Sequence, residues 1–303
     1  MSKPRFYKLL IDSTKYIGHR GANGDYPGNT IEGFDRGLSM GLDGLEMDIR
    51  ESEDGVLVLA NKPTTHMCIQ ESYRDTKELP GFKEQYEKAI SEPNYNIRKT
   101  PFKTLRNCDL GNGTHIISFE EFLKKYGNKD IDFSIELKHK GISKKAIVLI
   151  KKYIKNLDRV TLTSFSYEIL KEVRECDNNI RIGWLTDACT DREIEALREI
   201  GGIQLCPRIL IEDLELKDGK LIEALTPEKV KRAKEREIEV RAWGAFNEEL
   251  VNHAIYCGVD GLTLNFPTKY RKLLKRTKIN NGRRNNKGVR IRGKEPYIKD
   301  EER

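Results

Sequence analysis

Glu46 and Asp48 stand two residues apart in an otherwise apolar run, Gly44-Leu45-Glu46-Met47-Asp48-Ile49. Alternate residues of a strand share a face, so both carboxylates point one way while Leu45, Met47 and Ile49 point the other. Carboxylates held on one face repel strongly unless a cation sits between them. Glu136, in the run Asp132-Phe133-Ser134-Ile135-Glu136-Leu137-Lys138, offers a third acid. Brought together, the three form a hard-oxygen site suited to Mg2+ or Ca2+; apart, each is an ordinary surface or salt-bridged acid. His19-Arg20, at the end of Tyr16-Ile17-Gly18, adds a group that can move protons near neutral pH and a guanidinium that can clamp a phosphoryl oxygen. Neighbours on a strand point to opposite faces, so the chain must bend there for both to reach one site. Lys138 shares a face with Glu136 and brings positive charge toward a phosphate. Trp243 can stack against an apolar or sugar-like part of a substrate, or simply pack in the core. Ser164 ends another strand-like run. His66, His115, His139 and His253 show no partner pattern.

These residues need a scaffold, and the chain spells one out. Strand-like runs at Tyr16–Gly18, Gly44–Ile49, Asp132–Lys138, Val160–Ser164, Ile180–Leu185, Gly202–Pro207, Glu239–Trp243 and Gly261–Leu264 alternate with helical stretches. One helix opens at Asn29-Thr30 and runs to about Met40. Ser118-Phe119-Glu120-Glu121 is a capping box, and Thr226-Pro227 pairs an N-cap with proline at the first helical position. Eight strands with intervening helices predict an α/β fold, a closed (β/α)8 TIM barrel, whose active site lies at the C-terminal ends of the strands. An open doubly wound sheet is the alternative; the absence of GxGxxG after the first strand counts against a dinucleotide binder. Val56–Leu59 returns from the second strand after the turn Asp54-Gly55. Residues 61–117, rich in charge and proline, read as an irregular insertion with one helix around Gly81–Ile90.

Composition sets the outer limits. The 303 residues suit one barrel domain, placed at residues 1–275. No apolar run is long enough to span a membrane, and Phe6–Ile11 is too short and too broken by Lys8 for a signal-peptide core, so a cytoplasmic protein is expected. The six cysteines are scattered without a CxxC pair, which argues for reduced thiols rather than zinc or redox chemistry. The net charge of +7 is uneven: residues 271–303 hold 13 Lys/Arg against 4 Asp/Glu, leaving the rest of the chain slightly acidic. Residues 276–303 therefore read as a basic, disordered tail, able to make weak contact with an anionic membrane or nucleic acid.

Several blocks, in order over residues 15–275, resemble the glycerophosphodiester phosphodiesterase family. Tyr16–Ala22 is similar to its HRGA signature, Pro27-Gly28-Asn29-Thr30 to its PENT block, Gly44–Asp48 to its E-x-D strand, and Asp54–Val58 to the segment leading to its second histidine. Ile117–Glu121 and Ile135–Lys138 resemble later blocks, and Gly258–Pro267 resembles the closing GVDGIITDxP. The resemblance implies a metal-dependent barrel that splits glycerophosphodiesters into an alcohol and glycerol 3-phosphate, in lipid metabolism. It implies Glu46, Asp48 and Glu136 as metal ligands, His19 as first catalytic histidine, and Arg20 and Lys138 on the phosphate. Three positions depart from the family pattern. Asn61-Lys62 stands where the family has His-Asp, Gly28 replaces the PENT glutamate, and Asn265 replaces the closing aspartate. An amide exchanges no proton at neutral pH, so Asn61 cannot serve as general acid or base. Two readings follow: an enzyme working with one histidine, weakly or on good leaving groups, or an inactive module that binds a glycerophosphodiester or phosphate. A nucleic-acid binder driven by the tail is a third.

Overall fold

A strand whose alternate side chains are apolar can bury them against helices and turn the other set inward. Eight such strands close into a ring in this computed structural model, which describes residues 10–11, 13–76, 81–216, 219, 221–270 and 273–274. The basic segment from 276 onward lies outside the described residues. The strands are β1 (Lys15–Gly18), β2 (Gly44–Glu51), β3 (Leu57–Leu59), β4 (Asp132–Leu137), β5 (Val160–Ser164), β6 (Arg181–Thr186), β7 (Gln204–Pro207), β8 (Leu214–Glu215), β9 (Leu221–Ile222), β10 (Glu239–Ala245) and β11 (Gly261–Leu264). The ring runs β1-β11-β10-β7-β6-β5-β4-β2, all neighbours parallel, and β1 pairing with β2 closes it. Strand β3 pairs antiparallel with the end of β2 outside the ring, and β8-β9 is a separate hairpin. This is the (β/α)8 barrel that the alternation implies.

Outward faces carry the core. Leu45, Met47, Ile49, Ile135, Leu137 and Leu162 pack with Phe34, Phe119, Phe122 and Tyr126 in one buried cluster. Phe34 lies on α1 (Ile31–Met40) and meets Phe122 edge-on at 4.8 Å. Burying each such ring stabilises the fold by roughly 1.5–3 kcal/mol. Inward faces are polar: Glu46, Asp48, Ser134, Glu136, Thr161, Thr163, Arg241 and Thr263 are all buried.

The capping signals do their work. Thr30 accepts from Gly33 N, Thr226 accepts from Lys229 N, and Ser118 and Glu121 cap each other reciprocally. The insertion is more regular than expected. It contains α2 (Thr65–Thr76), α3 (Phe82–Ser91), a turn of 3-10 helix at Ile97–Lys99 and the short α4 (Phe102–Leu105). These pack on a core of their own made by Val58, Ile69, Ala89, Ile97, Leu105 and Ile116. The periodicity of α2 is weak because few of its residues are apolar; tertiary contacts of Cys68, Ile69 and Ser72 hold it instead. Strand ends differ by one or two residues from expectation: β4 stops at Leu137 and β7 starts at Gln204.

Candidate active site

Register brings the three acids together. Asp48 lies directly beside Glu136 across the β2–β4 pairing, and Glu46 beside Ser134 one layer deeper. One oxygen each from Glu46, Asp48 and Glu136 fall within 4.8 Å of one another. All three are buried, Asp48 completely.

The bend required after β1 is present. Arg20 adopts φ 50° and Gly21 φ 87°, so the chain reverses and both His19 and Arg20 face the acids. A Cβ on Gly21 would meet the backbone of Gly33 at 2.5 Å, so glycine there lets α1 press against the turn. The Arg20 backbone N–H donates to Glu46 Oε2 (2.9 Å), its Nε to Asp48 Oδ2 (2.8 Å), and its Nη1 to Glu71 Oε1 (3.1 Å). The Lys138 ammonium sits 2.8 Å from Asp48 Oδ1 and 2.6 Å from Glu136 Oε1. His19 pairs through Nδ1 with Asn265 Oδ1 at 2.8 Å, while its Nε2 stands 4.0 Å from Glu46 Oε2. With the amide oxygen facing the ring, Nδ1 carries the proton and Nε2 is the free base.

Electrostatics follows from this packing. Burial and the neighbouring Asp48 push the Glu46 carboxyl well up. Burial raises the Glu136 carboxyl too, against the pull of Lys138. Burial acts the same way on Asp48, but Lys138 and Arg20 outweigh it and hold that carboxyl well below the usual range. Burial and then the adjacent Arg20 push the His19 imidazole down to about 3.

Residues that sequence reasoning passed over complete the site. Asn29, in the left-handed region at φ 63°, donates from Nδ2 to Asp48 Oδ2 (2.9 Å) and accepts from Asp48 N (3.1 Å). Its place beside Gly28 marks a helix start; nothing local in the sequence signals the contact with Asp48. Glu71 arrives from α2, with its second oxygen 2.6 Å from Lys62 Nζ. Asn61 is buried just past β3; its carbonyl accepts from Arg50 Nη2, and the preceding Ala60 N–H donates to Asp48 O at 3.0 Å. The second-histidine position therefore does sit beside the acid strand.

Trp243 lies apart from the acids, on β10 opposite β4 in the ring. Its Nε1 donates to Thr186 O (3.1 Å), Phe165 meets it edge-on at 5.5 Å, and Arg208 stands 5.9 Å from its ring centre. Ser164 does not join the site; its hydroxyl donates to Leu137 O at 2.9 Å. His66, His115, His139 and His253 are each taken up by backbone carbonyls. The six cysteines are all free. Among the described residues no helix is long and apolar enough to cross a membrane.

The chemistry of the donor set fits a divalent cation. Three hard oxygen donors converge, two of them burdened by mutual repulsion, and Asp48 Oδ1 faces Lys138 without hydrogen-bond geometry. A stability prediction follows. Glu46 keeps its proton in the fold up to about 8, whereas the unfolded chain releases it in the ordinary carboxylate range. The native state then binds more protons than the unfolded one, so the stability of metal-free protein falls as pH rises through that window. His19, depressed in the fold, acts oppositely, but only below its unfolded value of 6.5. Between about pH 6.5 and 8 the melting temperature of chelator-treated protein should drop, and saturating Mg2+ should flatten the slope. An identical slope with and without Mg2+ or Ca2+ would mean that the acids hold no cation.

Comparison with known proteins finds relatives over most of the chain. A curated glycerophosphodiester phosphodiesterase of Caldanaerobacter subterraneus is 25% identical over 267 residues, covering 84% of this chain and 95% of its own. A glycerophosphodiester phosphodiesterase of Parabacteroides distasonis superimposes with TM-score 0.64 at 22% identity, over 88% of this chain and 99% of that one. An Oleispira antarctica phosphodiesterase solved with its product sn-glycerol-3-phosphate gives TM-score 0.64 at 20% identity, over 89% and 99%. The sequence model of the glycerophosphoryl diester phosphodiesterase family matches residues 19–269. With most of its length matched and the barrel in common, this chain belongs to the glycerophosphoryl diester phosphodiesterase family.

Proposed function

We propose that this protein is a divalent-metal-dependent hydrolase that converts a glycerophosphodiester and water into an alcohol and glycerol 3-phosphate. The observation that carries this reading is the convergence of Glu46, Asp48 and Glu136 beneath His19, Arg20 and Lys138. Mg2+ or Ca2+ held by the three carboxylates would act as a Lewis acid toward the phosphoryl group. Arg20 and Lys138 supply positive charge for the phosphoryl oxygens. Lys138, tied to Asp48 and Glu136, can turn to substrate once another cation takes up their charge. His19 Nε2, with Nδ1 anchored on Asn265, is placed to accept the proton of the attacking hydroxyl. The Asn61 amide cannot protonate the departing alcohol, so that proton comes from water or Lys62, and diesters with good leaving groups react fastest. Trp243, at the opposite side of the mouth, would receive the organic part of the substrate.

Phosphorus NMR of protein incubated with glycerophosphocholine tests the reading. Glycerol 3-phosphate as product supports it; phosphocholine as product would show that the other ester bond is cut and reject the stated reaction. The buried Asn61 favours one other reading, a module that binds the diester without turnover. Metal-dependent binding with no product would select it.

Asn265 offers a sharper probe of His19. A neutral amide favours the charged ring only through its hydrogen bond, too little to offset burial and Arg20. Asn265→Asp places a carboxylate 2.8 Å from Nδ1, which should raise the imidazole pKa by about 1–3 units. The acid limb of the kcat/KM profile should move to higher pH by a similar amount. An unmoved limb would remove His19 from the role of base.

A further inference from the structure

The insertion reaches into the site, and it does so where the resemblance leaves an acid missing. Position 28 is glycine. A Cβ there would lie 2.3 Å from Asn23 Oδ1 and 3.0 Å from Cβ of Arg20, so the stem of Arg20 occupies the space beside it. Helix α2 docks against this bare backbone: Gly28 N donates to Ser72 Oγ at 3.3 Å. One residue earlier, Glu71 meets Arg20 Nη1 at 3.1 Å and Lys62 Nζ at 2.6 Å, and only 12% of its side chain is exposed. Arg20 is thus gripped from two sides, by Asp48 of the barrel and by Glu71 of the insertion.

Resting on the phosphodiesterase reading above, we infer that Glu71 is a positioning residue of the active site, fixing the Arg20 guanidinium and tethering the Lys62 ammonium beside it. It supplies from α2 the carboxylate that is absent at position 28. A guanidinium with one oriented edge still rotates about its stem; a second carboxylate defines its plane and the direction in which its remaining donors point. The glycine and the glutamate belong together, because a side chain at 28 would press on Asn23 and on the stem of the arginine that Glu71 holds. Such preorganisation acts on substrate binding through Arg20, without Glu71 touching substrate.

The test measures glycerol 3-phosphate affinity by calorimetry, in Mg2+ and in chelator, with KM and kcat for glycerophosphocholine and the melting temperature of each variant. Glu71→Gln is expected to weaken product binding and raise KM about tenfold, with a smaller change in kcat. Glu71→Asp, which keeps the charge at shorter reach, should restore part of the loss. Ser72→Ala removes the hydroxyl that accepts from Gly28 N and Arg74→Ala removes an exposed cation 3.7 Å from Glu71; with Glu71 intact, both should leave affinity unchanged. Wild-type binding with Glu71→Gln indistinguishable from it would overturn the role. Equal losses in Glu71→Gln and Ser72→Ala, tracking a lower melting temperature, would also overturn it, by reducing Glu71 to a brace between insertion and barrel. A wild type that neither binds nor hydrolyses would remove the underlying reading, and this role with it.

Discussion

Asp48→Asn is expected to lower kcat/KM by about 10²–10⁴-fold and to destabilise the fold by about 3–5 kcal/mol. Both effects come from one carboxylate. The fully buried Asp48 carboxylate meets the Arg20 guanidinium at 2.8 Å and the Lys138 ammonium at 2.8 Å. Neutralising it leaves two largely buried cations sharing less negative charge, and breaking such a pair from one side costs far more than the pair contributes. The same change removes one of the three proposed metal ligands and unsettles both residues proposed to hold the phosphate. Glu46→Gln makes a useful contrast. Burial already pushes the Glu46 carboxyl toward its neutral form, so an uncharged isostere should cost activity while sparing the stability of metal-free protein. Kinetics and denaturant unfolding of both variants decide the matter. Full activity in Asp48→Asn would remove the acid cluster from catalysis; equal destabilisation in both would mean that the charges of the cluster are misassigned.

Asn61→His should raise turnover of glycerophosphocholine and glycerophosphoethanolamine by about 10²–10⁴-fold, the worth of a positioned general acid. The position has the right address, since it follows Ala60, whose N–H bonds the Asp48 carbonyl, and it is buried beside the acid strand. The gain should depend on the leaving group. An alkoxide such as that of choline needs a proton as it departs, whereas a nitrophenolate does not. A diester that releases nitrophenolate should therefore gain little from the new imidazole. Equal gains on both substrates would place the effect in binding or folding rather than in proton transfer. No gain on either, from an active wild type, would show that another group already protonates the alcohol.

The barrel was legible because its signal is repetitive. Alternation at Leu45-Glu46-Met47-Asp48-Ile49 and at Ser134-Ile135-Glu136-Leu137 assigns each side chain to one of two faces, and the structure buries both sets as read. The acid cluster was legible for the same reason: period two and a register of matched strands leave little freedom. The bend at His19-Arg20 could be required but not described, since positive φ at an arginine has no local signature. Glu71 and Asn29 were out of reach for a different reason. Their contacts with Arg20 and Asp48 span 51 and 19 residues and depend on how α2 and the α1 turn are laid against the barrel. Helix α2 itself lacks a clear apolar stripe, so tertiary packing decides it.

The decisive measurement is release of glycerol 3-phosphate from glycerophosphocholine by the wild-type chain, followed with Mg2+ or Ca2+ and again after chelation. Slow release that stops on chelation and returns when the cation is restored is the expected result. Undiminished release in chelator would contradict the metal role of Glu46, Asp48 and Glu136, and no release under any condition would contradict the enzyme.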